Sequence, residues 1–104
     1  MKKYEVGFIL NPQLDEATTL STVETLKNLY AEGTIIDELD LGLKELAYEI
    51  EKNKTGYYYF LVVEANHEMN QEFERICRLS ESVIRFMVID INDIKGSTLD
   101  TLRK

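Results

Sequence analysis

Apolar residues recur at every second position from Tyr4 to Leu10. Val6, Phe8 and Leu10 take one side and Lys3, Glu5, Gly7 and Ile9 the other, the period of a β-strand. Asn11-Pro12 closes that strand, because proline brings no N–H to a sheet ladder and biases its predecessor away from helix. Asp15 stands where a helix N-cap is wanted. Ala17, Leu20, Val23, Leu26 and Tyr30 recur at spacings of three and four, predicting a helix over about residues 15 to 32 with Gly33 as its left-handed stop. From Thr34 to Glu51 the parity of the apolar positions changes: Ile35, Leu39, Leu41 and Leu43 are odd, Leu46, Tyr48 and Ile50 even. An inserted residue near Gly42 to Glu45 keeps both sets facing the core and bends the strand. The polar run from Glu51 to Gly56 reads as a loop, a hairpin tip before the most strand-like stretch, Tyr57 to Glu64. Asn66 caps a second helix with the stripe Met69, Phe73, Ile76 and Cys77, Glu68 in its first turn and Arg75 and Arg78 in its last. Ser82 leads into a last strand, Val83 to Ile91, where Phe86 and Val88 oppose Arg85, Met87 and Ile89.

The order strand, helix, strand, strand, helix, strand predicts an α+β, ferredoxin-like βαββαβ fold, a four-stranded antiparallel sheet with both helices on one face. One domain is expected over residues 1–91, followed by a loosely held tail over residues 92–104, where no period persists. A sheet covered on one face leaves the other to be polar, self-associated or covered by a partner. With Val6, Phe8, Phe86 and Val88 turned inward, the bare face collects Lys3, Ile9, Phe60, Arg85, Met87 and Ile89. The run Tyr57-Tyr58-Tyr59-Phe60 adds to it, because at period two aromatic rings reach both faces and core packing accounts for only half of them. Rings left on the bare side suit either nucleobases or a partner's apolar residues.

Composition changes this picture in two places. Twelve basic against nineteen acidic residues give a net charge of −7, which argues against a non-specific nucleic-acid coat. Charge acts locally, however, since the Debye length at physiological salt is about 8 Å. Much of the acidity, including Glu16, Glu24, Glu72 and Glu74, falls on the helices, whereas Lys2, Lys44, Lys52 and Lys54 fall at strand ends or loops, from which long stems reach phosphates at the sheet's margins. The single histidine and single cysteine, His67 and Cys77, cannot assemble a dense zinc site, and no Gly-rich phosphate loop is present, so neither an enzyme nor a cofactor-binding protein is expected. One cysteine closes no intrachain disulfide, and no run of membrane-spanning length is seen. The expected setting is a reducing cytoplasm, with no membrane and no DNA among the partners.

Particular segments carry a resemblance. They are the opening Met1-Lys2-Lys3-Tyr4-Glu5-Val6, Asn11-Pro12, Gly42 followed by Leu46-Ala47-Tyr48-Glu49-Ile50, Gly56-Tyr57-Tyr58 with Glu64-Ala65, and Val83-Ile84-Arg85-Phe86-Met87-Val88. In order and spacing they resemble the family of the sixth protein of the bacterial small ribosomal subunit, S6, over nearly the whole chain up to about Ile91. The resemblance implies a ferredoxin-like domain without catalysis that binds small-subunit ribosomal RNA together with ribosomal protein S18, the eighteenth, during assembly. By position it assigns RNA contacts to Lys2, Lys3, Lys44, Tyr48, Lys52 and Arg85, and it leaves Ile9, Phe60, Met87 and Ile89 on the open face for the protein partner. Family members commonly carry a tryptophan before the glycine, two adjacent bases after it and a proline after the tyrosine. Here those positions are Leu41, Lys44-Glu45 and Glu49. The reversed charge at Glu45 implies weaker direct RNA binding and more reliance on the protein partner.

Two other readings fit the element order. An RNA-recognition motif also has a glycine-aromatic signature on its third strand, loosely matched by Lys54-Thr55-Gly56-Tyr57-Tyr58-Tyr59-Phe60, but its second small residue is replaced by Tyr58. A ferredoxin-like dimer holding a small molecule between stacked sheets would hide Phe60, Met87 and Ile89 equally well.

Overall fold

The computed structural model describes residues 1–50 and 52–91. The elements are β1 (Lys2–Leu10), α1 (Glu16–Asn28), β2 (Thr34–Ile50), β3 (Asn53–Ala65), α2 (His67–Leu79) and β4 (Val83–Asp90). All strand pairings are antiparallel, in the order β2-β3-β1-β4, so β1 and β3 lie at the centre and β2 and β4 at the edges. This is the α+β ferredoxin-like fold that the element order predicts. The expected tail, residues 92–104, lies outside the described residues.

The core sits between one sheet face and the two helices. Val6, Phe8 and Leu10 of β1 and Tyr59, Leu61 and Val63 of β3 meet Val23 and Leu26 of α1, Tyr30 after it, and Phe73 and Cys77 of α2. Phe73, fully buried, is the hinge of the aromatic packing. Its ring lies 6.2 Å from Phe8, 5.9 Å from Tyr30 and edge-on, 6.3 Å away, to Phe86. The helices start where their caps dictate: Asp15 Oδ1 accepts the Thr18 N–H at 2.6 Å and Asn66 Oδ1 the Met69 N–H at 2.9 Å. Inside the core the Tyr30 hydroxyl donates to Asn70 Oδ1 at 2.9 Å, so the buried phenol and amide satisfy each other.

Several expectations are corrected. The first helix ends at Leu29, in right-handed geometry, and the chain leaves it through successive turns rather than a left-handed glycine. Gly33 is instead needed for closeness, since a Cβ there would stand 2.2 Å from the Glu64 carbonyl oxygen. Leu20 is exposed, because α1 buries only a narrow stripe, Val23 and Leu26. The strand β3 begins at Asn53, so residues 53–56 are strand and not loop; the chain turns at Lys52, whose φ is 67°. In β2 the apolar sets do not both face the core. Ile35 packs on it, while Leu43 and Tyr48 are exposed. Three register breaks replace the one expected, after Ile35, after Asp40 and after Glu45. The second brings Gly42 to a φ of 68°, with Asp40 Oδ1 accepting the Gly42 N–H at 2.9 Å. At the third, residues 46–49 of β2 stand against Lys54 alone, since Glu45 pairs with Thr55 and Ile50 with Asn53.

Candidate functional site

The face away from the helices holds a groove of about 750 Å³. Its apolar lining comes from Ile9 of β1, Leu41 of β2, Tyr58 and Phe60 of β3, and Met87 and Ile89 of β4. Strand alternation explains the set, because Ile9 pairs with Tyr58 and Arg85 while Gly7 pairs with Phe60 and Met87, so these side chains share one side of the sheet. Tyr58 and Phe60, both half-buried, lie with ring centroids 6.5 Å apart and planes tilted by 37°. Lys44, Glu45 and Arg85 bring charge to the same groove. Deeper on this face Glu5, opposite Val62 and Ile89, is only 1% exposed, a buried carboxylate where the alternation rule marks only an outward position.

The structure draws together seven of the ten residues singled out from the sequence. Ile9, Phe60, Met87 and Ile89 line the groove, Lys44 and Arg85 edge it, and Tyr48 touches Arg85. The Arg85 guanidinium donates from Nη2 to the Tyr48 hydroxyl at 2.8 Å and lies 5.5 Å from the centroid of its ring. Lys52 stands farther out, at the β2–β3 turn. Lys2 and Lys3 fall at the other end of the sheet: Lys3 pairs with Glu64, six residues along β1 from Ile9, or about 20 Å at strand rise. Lys2 has the register of the helix-covered face and is exposed. The basic positions thus form two groups rather than one patch.

Sequence reasoning missed Leu46 and Ile84, which crowd the groove's end. A register break between Ile9 and Leu10 makes Ile84 the extra residue of β4, and a Cβ placed on Gly56 would meet Ile9 Cγ2 at 2.3 Å, Leu46 Cδ2 at 3.4 Å and Ile84 Cδ1 at 3.6 Å. Only the missing side chain of Gly56 lets these three converge. No signal in the sequence marks the convergence, because it depends on two bulges.

On the helix-covered side several charges have partners. Lys27 lies 2.9 Å from Glu38 and 3.7 Å from Glu24, Arg75 2.6 Å from Glu72, and Arg78 3.3 Å from Glu74. The Glu38 carboxyl also accepts the Tyr59 hydroxyl at 2.8 Å; the Lys27 bond, then the Tyr59 bond, hold it below the usual carboxylate value. Burial, with a bond to Asp40, pushes the Tyr57 phenol up to about 12, and burial does the same to the Cys77 thiol, also to about 12. A thiol so placed is a packing residue rather than a nucleophile. Among the described residues no group of three or more histidines, cysteines or carboxylates is poised to hold a metal, and no helix is long and apolar enough to cross a membrane.

A four-stranded antiparallel sheet with two helices on one face and an apolar, partly charged groove on the other defines a ferredoxin-like α+β domain. Comparison with known proteins narrows that class. The family model described as ribosomal protein S6 matches residues 3–90. The chain is 42% identical over 91 residues to the small ribosomal subunit protein bS6 of Aster yellows witches'-broom phytoplasma, covering 86% of this chain and 96% of that one. It is 41% identical over 92 residues to bS6 of Clostridium novyi, covering 86% and 97%. The crystal structure of 30S ribosomal protein S6 from Thermotoga maritima superposes with a TM-score of 0.81 at 25% identity, covering 98% of this chain and 94% of that one. The chain belongs to the ribosomal protein S6 family.

Proposed function

We propose that the protein is a structural component of the bacterial small ribosomal subunit, in the cytoplasm, where it binds small-subunit ribosomal RNA together with ribosomal protein S18 and catalyses nothing. The observation that carries this reading is the groove itself: an apolar floor of Ile9, Phe60, Met87 and Ile89, edged at one end by Lys44 and Arg85. An apolar centre with charge at its rim is the anatomy of a protein–protein contact, and the cations at its end continue that contact onto phosphate. S18 takes the groove, and Lys44, Lys52 and the Arg85–Tyr48 pair face RNA beside it. Lys2 and Lys3, some 20 Å along β1 by strand rise, belong to a separate RNA contact or to none.

Glu45 lines the groove next to Lys44, so the local charge is balanced rather than strongly basic. Binding by this chain alone is therefore weak, and the partner's apolar contacts supply most of the affinity. The test is sedimentation of tagged protein from cells. It should travel with small subunits at moderate salt, and the pair Phe60→Glu with Met87→Glu should release it while leaving the protein folded. Tagged protein that stays at the top of the gradient, or that dimerises with itself through the groove and ignores ribosomal particles, would refute the proposal.

A further inference from the structure

Every arginine among the described residues except Arg85 has a carboxylate partner, Arg75 with Glu72 and Arg78 with Glu74. In a chain with a net charge of −7 that exception is informative. Arg85 is held instead by a phenol, through the 2.8 Å bond to the Tyr48 hydroxyl and the 5.5 Å approach to its ring. A neutral acceptor and an aromatic face fix a guanidinium in place without cancelling its charge, and they use one of its five N–H donors. The fixing has a structural origin. In the strand order β2-β3-β1-β4, β2 and β4 are three strand spacings apart, about 14 Å, too far for a flat sheet to bring Tyr48 to Arg85. The bulge that sets residues 46–49 against Lys54 alone folds this part of β2 over the open face, with Leu46 seated by the bare backbone of Gly56. Neither element of the contact is needed for the core, since Tyr48 is 61% exposed and Arg85 is exposed too.

We infer that Tyr48 is a positioning residue that acts through Arg85, aiming the guanidinium's remaining donors at a phosphate of the RNA, and is not itself a platform on which a base stacks. The inference rests on the proposed RNA-binding role and specifies how one contact of it is built. Bidentate recognition of phosphate depends on the orientation of the guanidinium plane, so a tether that fixes the plane before binding removes side-chain entropy from the cost of association.

The experiment measures affinity for isolated small-subunit ribosomal RNA in the presence of S18, over a range of salt, for the wild-type protein, Tyr48→Phe, Tyr48→Ala, Arg85→Ala and the double variant. Side-chain 15N relaxation of Arg85 is recorded in the free protein, and each variant's melting temperature is checked. Arg85→Ala is expected to weaken binding about tenfold or more and to lower the salt slope by about 0.9, one phosphate's worth on duplex-like RNA. Tyr48→Ala should weaken binding about two- to fivefold with the slope unchanged, loosen Arg85 on the relaxation scale, and cost nothing further once Arg85 is alanine. Tyr48→Phe should fall between it and the wild type. Additive losses from the two alanine variants would make Tyr48 a stacking residue and overturn the inference, as would an Arg85→Ala protein that binds normally. If the wild-type protein with S18 fails to bind the RNA at all, the RNA-binding role falls and the inference with it; a silent Arg85→Ala beside normal wild-type binding overturns the inference alone.

Discussion

The two faces of one sheet differ in how they treat charge and apolar surface. On the helix-covered side the rings of Phe8, Tyr30, Tyr59 and Phe73 are sealed, and Lys27, Arg75 and Arg78 all have carboxylate partners. On the other side Phe60, Met87 and Ile89 are only half-buried and Arg85 is held by a tyrosine. Both faces obey the same strand alternation, and β1 and β3 serve each, so the difference lies in what the chain itself provides to cover them. One face is finished by folding. On the function proposed above, the other is finished by association, and substitutions on it should separate stability from binding.

The largest effect expected on that contrast is Phe73→Ala, which opens a cavity between Phe8, Tyr30 and Phe86 and should cost about 3 to 5 kcal/mol in urea denaturation. Phe60→Ala, removing a ring of similar size from the groove, should cost about 1 to 2 kcal/mol in the same measurement and act mainly on retention in small subunits. Next comes Gly33→Ala, whose Cβ would press on the rigid Glu64 carbonyl oxygen at 2.2 Å; a loss of about 1 to 3 kcal/mol is expected, with the groove untouched. Tyr30→Phe deprives the buried Asn70 Oδ1 of its donor and should cost about 1 to 2 kcal/mol.

Smaller shifts sharpen the contrast in charge. Glu45→Lys adds a cation to the groove's edge and should raise the salt slope of RNA binding by up to about 0.9, leaving the melting temperature nearly unchanged. The Glu38 carboxyl is depressed by Lys27 and then Tyr59, so its contribution to stability is present above the ordinary carboxylate value of about 4.3 and is lost as pH falls through the lower folded value. Lys27→Met should therefore flatten the acid limb of the stability curve. With the Glu38 side chain 45% exposed, the effect after solvent screening stays below about 1 kcal/mol.

Much of the architecture was legible because it rests on local periods. The alternation in β1, β3 and β4 placed Val6, Phe8, Tyr59, Leu61, Phe86 and Val88 on the core side, and Asn66 with the Met69–Cys77 stripe located α2. The edge strand β2 was not legible in detail. Its register breaks three times, so parity no longer reports facing, and Leu41 turns to the groove while Leu43 is exposed. The stretch from Asn53 to Gly56 looked like loop because strand pairing there is backbone-driven, with polar side chains and no apolar alternation to betray it. In the groove, Ile9, Phe60, Met87 and Ile89 followed from alternation alone. The Tyr48–Arg85 contact could not, since it joins residues 37 apart across two edge strands through an irregularity whose presence, but not its place or length, the parity change near Gly42 to Glu45 signals.

The central claim, that the open face is completed by other macromolecules, is tested most directly by hydroxyl-radical footprinting of side chains in the free protein and in purified small subunits. Tyr58, Phe60 and Met87 are expected to lose reactivity in the particle, while Leu20 and Leu79, exposed on the helices, keep theirs. Protection of the two leucines with Tyr58, Phe60 and Met87 still reactive would contradict the claim and assign the docking surface to the helices.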